Sequence, residues 1–401
     1  MIVGILHIIL WILFAYVAIN VLYLFIYAVV GRIRSSRHFG IHPNKKKIAV
    51  LIPSYKEDEI ILHTARMARS HDYPADKFDI FLAADQLKPE TIRELRAIPV
   101  QVLEVSFEIG SKARSLNKLL NSITGDYEIG IILDADNIMM PGCLEKVNAA
   151  FQAGYRAVQC HRIAKNRNTP VAVLDAMSEE VNNHFFRKSM RAMGFSSTVI
   201  GSGMAFEFEK IKSIYNKPGI LGNPACDREV DFEVMKSNIV IEYLEDAFVM
   251  DEKVSSKAVY ERQRTRWLES QIIHLKLFFD PAQQGFKKDK NYWNKLFLNL
   301  IPPRLIFLAF FTLVLFLVAV QYLSGISFIY PDQKWWLALT GIYFLTFLIA
   351  IPPGFYKADT FRAFLHIPGL MISMLKAVFN MKVSRKEFLH TPKTFTQKQD
   401  Q

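Results

Sequence analysis

From Ile2 to Val30 the chain carries no charged side chain, and Leu305–Leu323 repeats that pattern near the other end. A helix needs about 20 apolar residues to cross a bilayer. Each stretch is therefore expected to be a membrane-spanning helix. The first has no basic leader and no small-residue cleavage site, so it is not expected to be a removable signal. Arg32, Arg34, Arg37, Lys45, Lys46 and Lys47 follow it directly. Basic residues stay on the cytoplasmic side, which puts the N-terminus outside and the following domain in the cytosol.

The same reasoning gives a third span at Trp335–Ile351, closed by Pro352-Pro353-Gly354, and a short outside loop before it. Phe361–Asn380 is apolar but interrupted by His366, Pro368, Gly369 and Lys376. It is read as an interfacial or re-entrant helix with the basic tail inside. Ala282–Leu300 mixes Lys, Trp, Tyr and Phe and is read as another interfacial segment. The expected organisation is a spanning helix at 1–31, a catalytic domain at 45–275, an interfacial region at 276–300, spans at 301–323 and 335–355, and an interfacial helix with tail at 361–401. The protein is thus expected to be multi-pass, in the plasma membrane.

The formal net charge is +11, and the basic residues flank the apolar segments. A membrane surface and an anionic substrate account for this better than nucleic acid does. Three scattered cysteines, Cys143, Cys160 and Cys226, give neither a disulfide framework nor a metal spacing.

Between the spans the pattern changes. Ile48–Ile52 is a short apolar run, followed by a helical pattern at about 59–70. Phe78–Ala83 and Ile129–Leu133 are further strand-like runs separated by helical stretches. Alternation of this kind implies βαβ units and a parallel sheet, whose ligands bind at the carboxyl ends of the strands. Pro53 to Glu57, Asp85, and Asp134 with Asp136 all fall at such ends.

Two carboxylates flanking one residue at a strand end, Asp134 and Asp136, offer hard oxygen ligands for Mg²⁺ or Mn²⁺ bridging phosphate oxygens. Lys112, in GSKARSLN, suits a loop that faces phosphate as it enters a helix. Asp85 could accept hydrogen bonds from a nucleobase or ribose. Asp227 opens an amphipathic stretch, either as a helix cap or as a general base. In Gln263-Arg264-Thr265-Arg266-Trp267 the two arginines offer donor forks to a diphosphate, and the indole offers a flat face to a sugar.

Taken together these residues resemble the membrane-integrated family-2 glycosyltransferases, the synthases of cellulose, hyaluronan, chitin and mannan type and their relatives. Pro53, Tyr55 and Glu57 fit the opening P-x-Y-N-E, with Lys56 in place of Asn. Lys112 to Asn117 fits K-A-x-x-L-N, Asp134 to Asp136 the metal motif, and Gly201 to Met204, with Gly203, the acceptor-side segment. Gln263 to Trp267 fits Q-x-x-R-W, which puts Gln263 and Trp267 on the acceptor. The T-E-D motif is altered: Cys226 replaces Glu and leaves Asp227 as the base, with Asp231 and Glu245-Asp246 as competing placements. Phe388 to Lys393 is similar to the F-x-x-T-P-K stretch of mannan-type relatives.

The resemblance implies a cytosolic GT-A domain, Rossmann-like and α/β, inserted between transmembrane helices. It implies an inverting, metal-dependent transfer from a nucleotide sugar, UDP-linked by expectation. Pro53, Tyr55, Glu57, Asp85, Lys112, Asp134, Arg264 and Arg266 would bind the donor. The acceptor would be a growing polysaccharide, with a membrane lipid as the alternative. A non-catalytic sensor of nucleotide sugars is the reading from another class. An export partner or a second copy would complete a polymer path.

Overall fold

The computed structural model describes residues 2–108, 110–222, 226–283 and 285–382. The Phe388–Lys393 stretch lies outside them. The middle of the chain is one eight-stranded mixed sheet in the order β3-β2-β1-β4-β7-β6-β8-β5. Its strands are β1 (Ile48–Tyr55), β2 (Phe78–Asp85), β3 (Gln101–Val105), β4 (Ile129–Ile132), β5 (Ile138–Met139), β6 (Ala157–Ala164), β7 (Met204–Glu207) and β8 (Ile241–Asp251).

One half, β3-β2-β1-β4, is parallel. Successive side chains of a strand point to opposite faces, and β1 shows why its apolar run is unbroken. Ile48, Val50 and Ile52 enter one core, with the helix Ile61–Arg69 and the helix Cys143–Gln152. Ala49 and Leu51 enter another, with the helices Lys112–Ser122 and Phe208–Tyr215. Each such buried aliphatic side chain contributes roughly 1.5–3 kcal/mol. A charged residue at Leu51 would disrupt the second layer.

The other half is mixed. β7 runs antiparallel to both β4 and β6, β6 is parallel to β8, and β5 is antiparallel to β8. The β6–β8 register shifts between Cys160 and His161, so that Cys160 faces Leu244 and His161 faces Phe248. Glu245 and Asp246 lie in that irregular stretch of β8.

The N-terminal helix, Ile2–Ile33, and the helix Arg304–Ser324 are long and apolar enough to cross a membrane. The pair Ala358–Phe364 and Ile367–Phe379, bent by 49°, would make a third span if counted as one broken helix. The helix Gln333–Ala350 covers the third expected span but is not among those long and apolar enough. Gln333, Lys334, Thr340, Gly341 and Thr346 dilute its apolar character. It packs along the N-terminal helix, where Arg32 Nη2 donates to the carbonyls of Ile349 (2.6 Å) and Ile351 (2.9 Å).

A π-helical turn, His184–Ser189, meets the C-terminal end of the N-terminal helix. Gly31 makes this possible: a Cβ there would lie 2.0 Å from Ser189 Oγ and 3.0 Å from the His184 ring. His184 Nε2 lies 2.9 Å from the carbonyl of Ala28. The expected interfacial segment forms the helix Lys290–Leu300, capped by Asp289. Tyr23 and Tyr27 of the N-terminal helix donate to its Asn294 Oδ1 at 2.8 and 2.6 Å.

Candidate active site

The carboxyl ends of β1 and β4 open into a cleft of about 490 Å³. Pro53, Tyr55 and Glu57 come from the end of β1, and Asp134 and Asp136 from the turn after β4. Asp134 is set by hydrogen bonds on both sides of that turn. Its N–H donates to Ser202 Oγ (3.0 Å), and its carbonyl accepts from the N–H of Asn137 (3.0 Å). Asn137 Nδ2 donates to the same Ser202 hydroxyl at 2.7 Å.

Ser111 caps the helix Lys112–Ser122, accepting from the N–H of Arg114. Lys112 is therefore the first helical residue and projects into the cleft, where its Nζ lies 2.7 Å from Asp134 Oδ1 and 3.4 Å from Asp227 Oδ1. Gly110 lets this loop approach β1: a Cβ on it would fall 2.6 Å from the Tyr55 ring.

Asp227 begins the helix Asp227–Lys236, whose cap position is Cys226. The carboxylate faces Gly201, which has φ +86 and where a Cβ would lie 2.4 Å from Asp227 Oδ2. Only glycine fits that approach and that backbone region. The competing acids stand elsewhere. Glu245 pairs with Lys188 (2.7 Å) and accepts from Ser36, and Asp246 pairs with Lys146 (2.9 Å). Asp231 lies on the cleft wall, but it pairs with Lys295 (2.5 Å) and accepts from the N–H of Val199 (3.1 Å).

The opposite wall is the helix Lys257–Leu277. Gln263, Arg266, Trp267, Ser270 and His274 line the cleft from it. Their spacing of three and four residues is one helical face. Arg264 sits about 100° round the helix from Gln263 and turns away. It forms a buried pair with Asp175 (2.5 Å) and lies over the rings of Tyr260 (4.5 Å) and Trp267 (4.1 Å). Of the two arginines expected to reach a diphosphate, Arg266 is on the cleft wall and Arg264 is not.

Two other expected residues are not on the cleft wall. Asp85 ends β2 and is fully buried, beside the backbone of Phe107. Burial raises its carboxyl above the usual range, against the Phe107 backbone and Lys56. Gly203 packs against Val249 and Cys160, and its N–H donates to the carbonyl of Ile132. In that segment Gly201, not Gly203, meets the site.

A charge network on the more buried part of the cleft wall escaped sequence reasoning. Glu179 lies 2.9 Å from Arg162, 3.7 Å from Lys253 and 3.9 Å from Arg187. Asp251 closes the group, 2.8 Å from Lys253 and 3.4 Å from Arg162. Burial disfavours the Glu179 carboxylate, but Arg162, Lys253 and Arg187 outweigh it and hold the group down at about 2. These residues come from β6, β8 and the segment after it, and the helix Pro170–Asn183 with its π turn, so no local motif announces them.

Electrostatics differ at the mouth. Burial raises the Asp134 carboxyl, with Asp227 and Asp136 adding to the rise and Lys112 opposing it. Burial lowers the Arg266 guanidinium, and Asp227 and Asp134 support its charge. Among the described residues there is no group of three His, Cys, Asp or Glu side chains placed to hold a metal. Asp134 and Asp136 on the cleft wall are two hard oxygen donors, a set that would suit a divalent cation.

The glycosyltransferase like family 2 profile matches residues 43–270. A search of curated proteins finds no match. Among solved structures, the mannosyltransferase PcManGT from Pyrobaculum calidifontis, in complex with GDP-Man and Mn²⁺, aligns with a TM-score of 0.58 at 17% identity. That alignment covers 92% of this chain and 98% of the other. The 1–349 fragment of S. aureus TarS aligns with a TM-score of 0.43 at 12% identity, over 84% of this chain and 92% of that one. The fold is that of the GT-A glycosyltransferases.

Proposed function

This chain belongs to the family-2 glycosyltransferases, and we propose that it is an inverting, metal-dependent enzyme that moves a sugar from a nucleotide sugar to an acceptor at the membrane face. The observation that carries the reading is one cleft with Lys112, Asp134 and Asp227 on one side and Gln263, Arg266 and Trp267 on the other. The GDP-Man and Mn²⁺ of PcManGT support a nucleotide-sugar donor and a divalent cation. A UDP-sugar remains the expected donor here.

In this reading Pro53, Tyr55 and Glu57 line the donor end. Asp134 and Asp136 would hold Mg²⁺ or Mn²⁺, which supplies Lewis-acid neutralisation of the departing diphosphate. Arg266 balances charge on the same diphosphate. Asp227 takes the proton of the acceptor hydroxyl as that oxygen attacks the anomeric carbon from the side opposite the leaving group. Gln263 and Trp267 hold the acceptor. Asp227→Asn keeps shape and should slow transfer about 10²–10⁴-fold while UDP binding persists. Wild-type transfer by Asp227→Asn, with Asp231→Asn inactive, would move the base to Asp231.

The acceptor is a growing polysaccharide in the first reading. A lipid headgroup is favoured by a specific feature: Lys295, Leu298 and Asn299 floor the cleft from the helix Lys290–Leu300, which also bonds to Tyr23 and Tyr27 of the first apolar helix. Product length decides: a ladder means polymerisation, and one sugar on an extractable lipid means single transfer. In this reading the basic residues after the first apolar helix keep the cleft in the cytosol and the N-terminus outside. Labelling of Ser35→Cys in intact cells by an impermeant reagent would reverse that orientation.

A further inference from the structure

An ammonium group has three donors and no acceptor. Lys112 directs its Nζ at Asp134 Oδ1 (2.7 Å), at the carbonyl of Gly201 (2.7 Å) and at Asp227 Oδ1 (3.4 Å). All three directions end on protein oxygens. Two of these belong to the carboxylates read above as a metal ligand and as the general base.

We propose that Lys112 is a built-in counter-cation that locks the donor-free site, holding Asp134 and Asp227 together until a donor diphosphate draws the ammonium away. The inference rests on the functional reading of those two acids. Lys112 begins a helix fixed by its Ser111 cap, so its backbone stays while the four-carbon stem moves. A lysine serves this purpose better than an arginine, because a compact point charge exchanges partners without a bidentate geometry to break. Asp134 Oδ1 accepts Lys112 in the donor-free state, so a free cation must compete with it for that oxygen. A diphosphate arriving with the cation offers the ammonium replacement oxygens. The site therefore loads cation and nucleotide together.

The test measures Mn²⁺ binding to the full-length detergent-solubilised protein by electron paramagnetic resonance, with and without UDP. Lys112→Met and Lys112→Gln keep the stem and remove the charge. Each should tighten Mn²⁺ binding without UDP by about tenfold or more, and weaken Mn²⁺–UDP binding by about tenfold, the value of one charge-assisted contact. Lys165→Met is the control for general electrostatics. Lys165 Nζ bonds the carbonyl of Asp136 at 3.2 Å, so its loss removes a nearby charge while the Lys112 stem and its place beside Asp134 are untouched. It should change Mn²⁺ affinity several-fold less than the Lys112 variants do.

Unchanged Mn²⁺ affinity in both Lys112 variants would overturn the lock. So would equal tightening in Lys165→Met, which would reduce the effect to net charge. Unchanged Mn²⁺–UDP affinity in the Lys112 variants would overturn the transfer of Lys112 to diphosphate. Failure of wild type to bind Mn²⁺ even with UDP would instead overturn the metal reading itself.

Discussion

The mouth of the cleft and the more buried part of its wall are both rich in charge, but they use it differently. At the mouth Lys112, Asp134 and Asp227 remain partly exposed, with side-chain accessibilities of 19%, 32% and 35%. Below, Arg187, Glu179 and Lys253 retain 4%, 7% and 3%. A charge that water can reach is inexpensive to unpair, whereas an unpaired buried charge costs several kcal/mol. On the proposed reading the mouth changes partners during a reaction, while the lower network keeps its partners between β6, β8 and the π turn.

The largest effect that sharpens this contrast is expected at the mouth. Asp136→Ala should abolish metal-dependent turnover, a loss of about a thousandfold or more, with thermal unfolding little changed. Full activity of that variant in EDTA would remove the acid pair from the mechanism.

In the lower layer the sign reverses, and stability suffers first. Glu179→Gln leaves Arg162, Arg187 and Lys253 short of a carboxylate, and should cost about 3–5 kcal/mol, read as a lowered unfolding midpoint. The same group makes a pH prediction. Its carboxyl is held down at about 2, against an ordinary 4.5. Its contribution is complete above pH 4.5 and fades as the pH falls towards about 2. Wild type should lose stability across that window, and Glu179→Gln should lose less of it.

A smaller effect separates neighbours on one helix. Arg266→Ala should weaken nucleotide diphosphate binding by about 10–100-fold, as expected for a lost charged hydrogen bond. Arg264→Ala should weaken it less than about threefold, because its charge is spent on Asp175. Equal losses in titrations with UDP would mean that the helix face has been misread. Smallest of all, Arg96→Ala, which breaks an exposed pair with Glu104, should shift stability by about 1 kcal/mol or less.

In the parallel half β1, β2 and β4 were legible because they are buried on both faces and read as apolar runs, whereas the half-exposed edge strand β3 was not. The ends of β1 and β4 pointed to Pro53, Tyr55, Glu57, Asp134 and Asp136, which line the cleft. Gln263, Arg266 and Trp267 were legible too, since their spacing is itself a helical face. The mixed half was not. β6 turns from buried to half-buried at His161 and Arg162, and polar residues at such a turn look like a loop. Arg264 was misjudged because a string of residues does not display the rotation between neighbours on a helix. The span expected at Trp335–Ile351 was judged by length, whereas two polar side chains within Gln333–Ala350, Thr340 and Thr346, are buried against the protein.

The contact of Gly31 with Ser189 and the His184 ring turns the first apolar helix into a fixed mast rather than a leash. A leash would let the catalytic domain sample many heights and tilts over the lipid. With backbone pressed against the π turn, and Arg32 hooked over the end of the neighbouring helix, the cleft stands at a single elevation. On the proposed reading with a lipid acceptor, reach then becomes a selection rule: the acceptor hydroxyl would have to lie at the altitude of Asp227, so the distance between lipid anchor and hydroxyl would be measured before any chemistry begins.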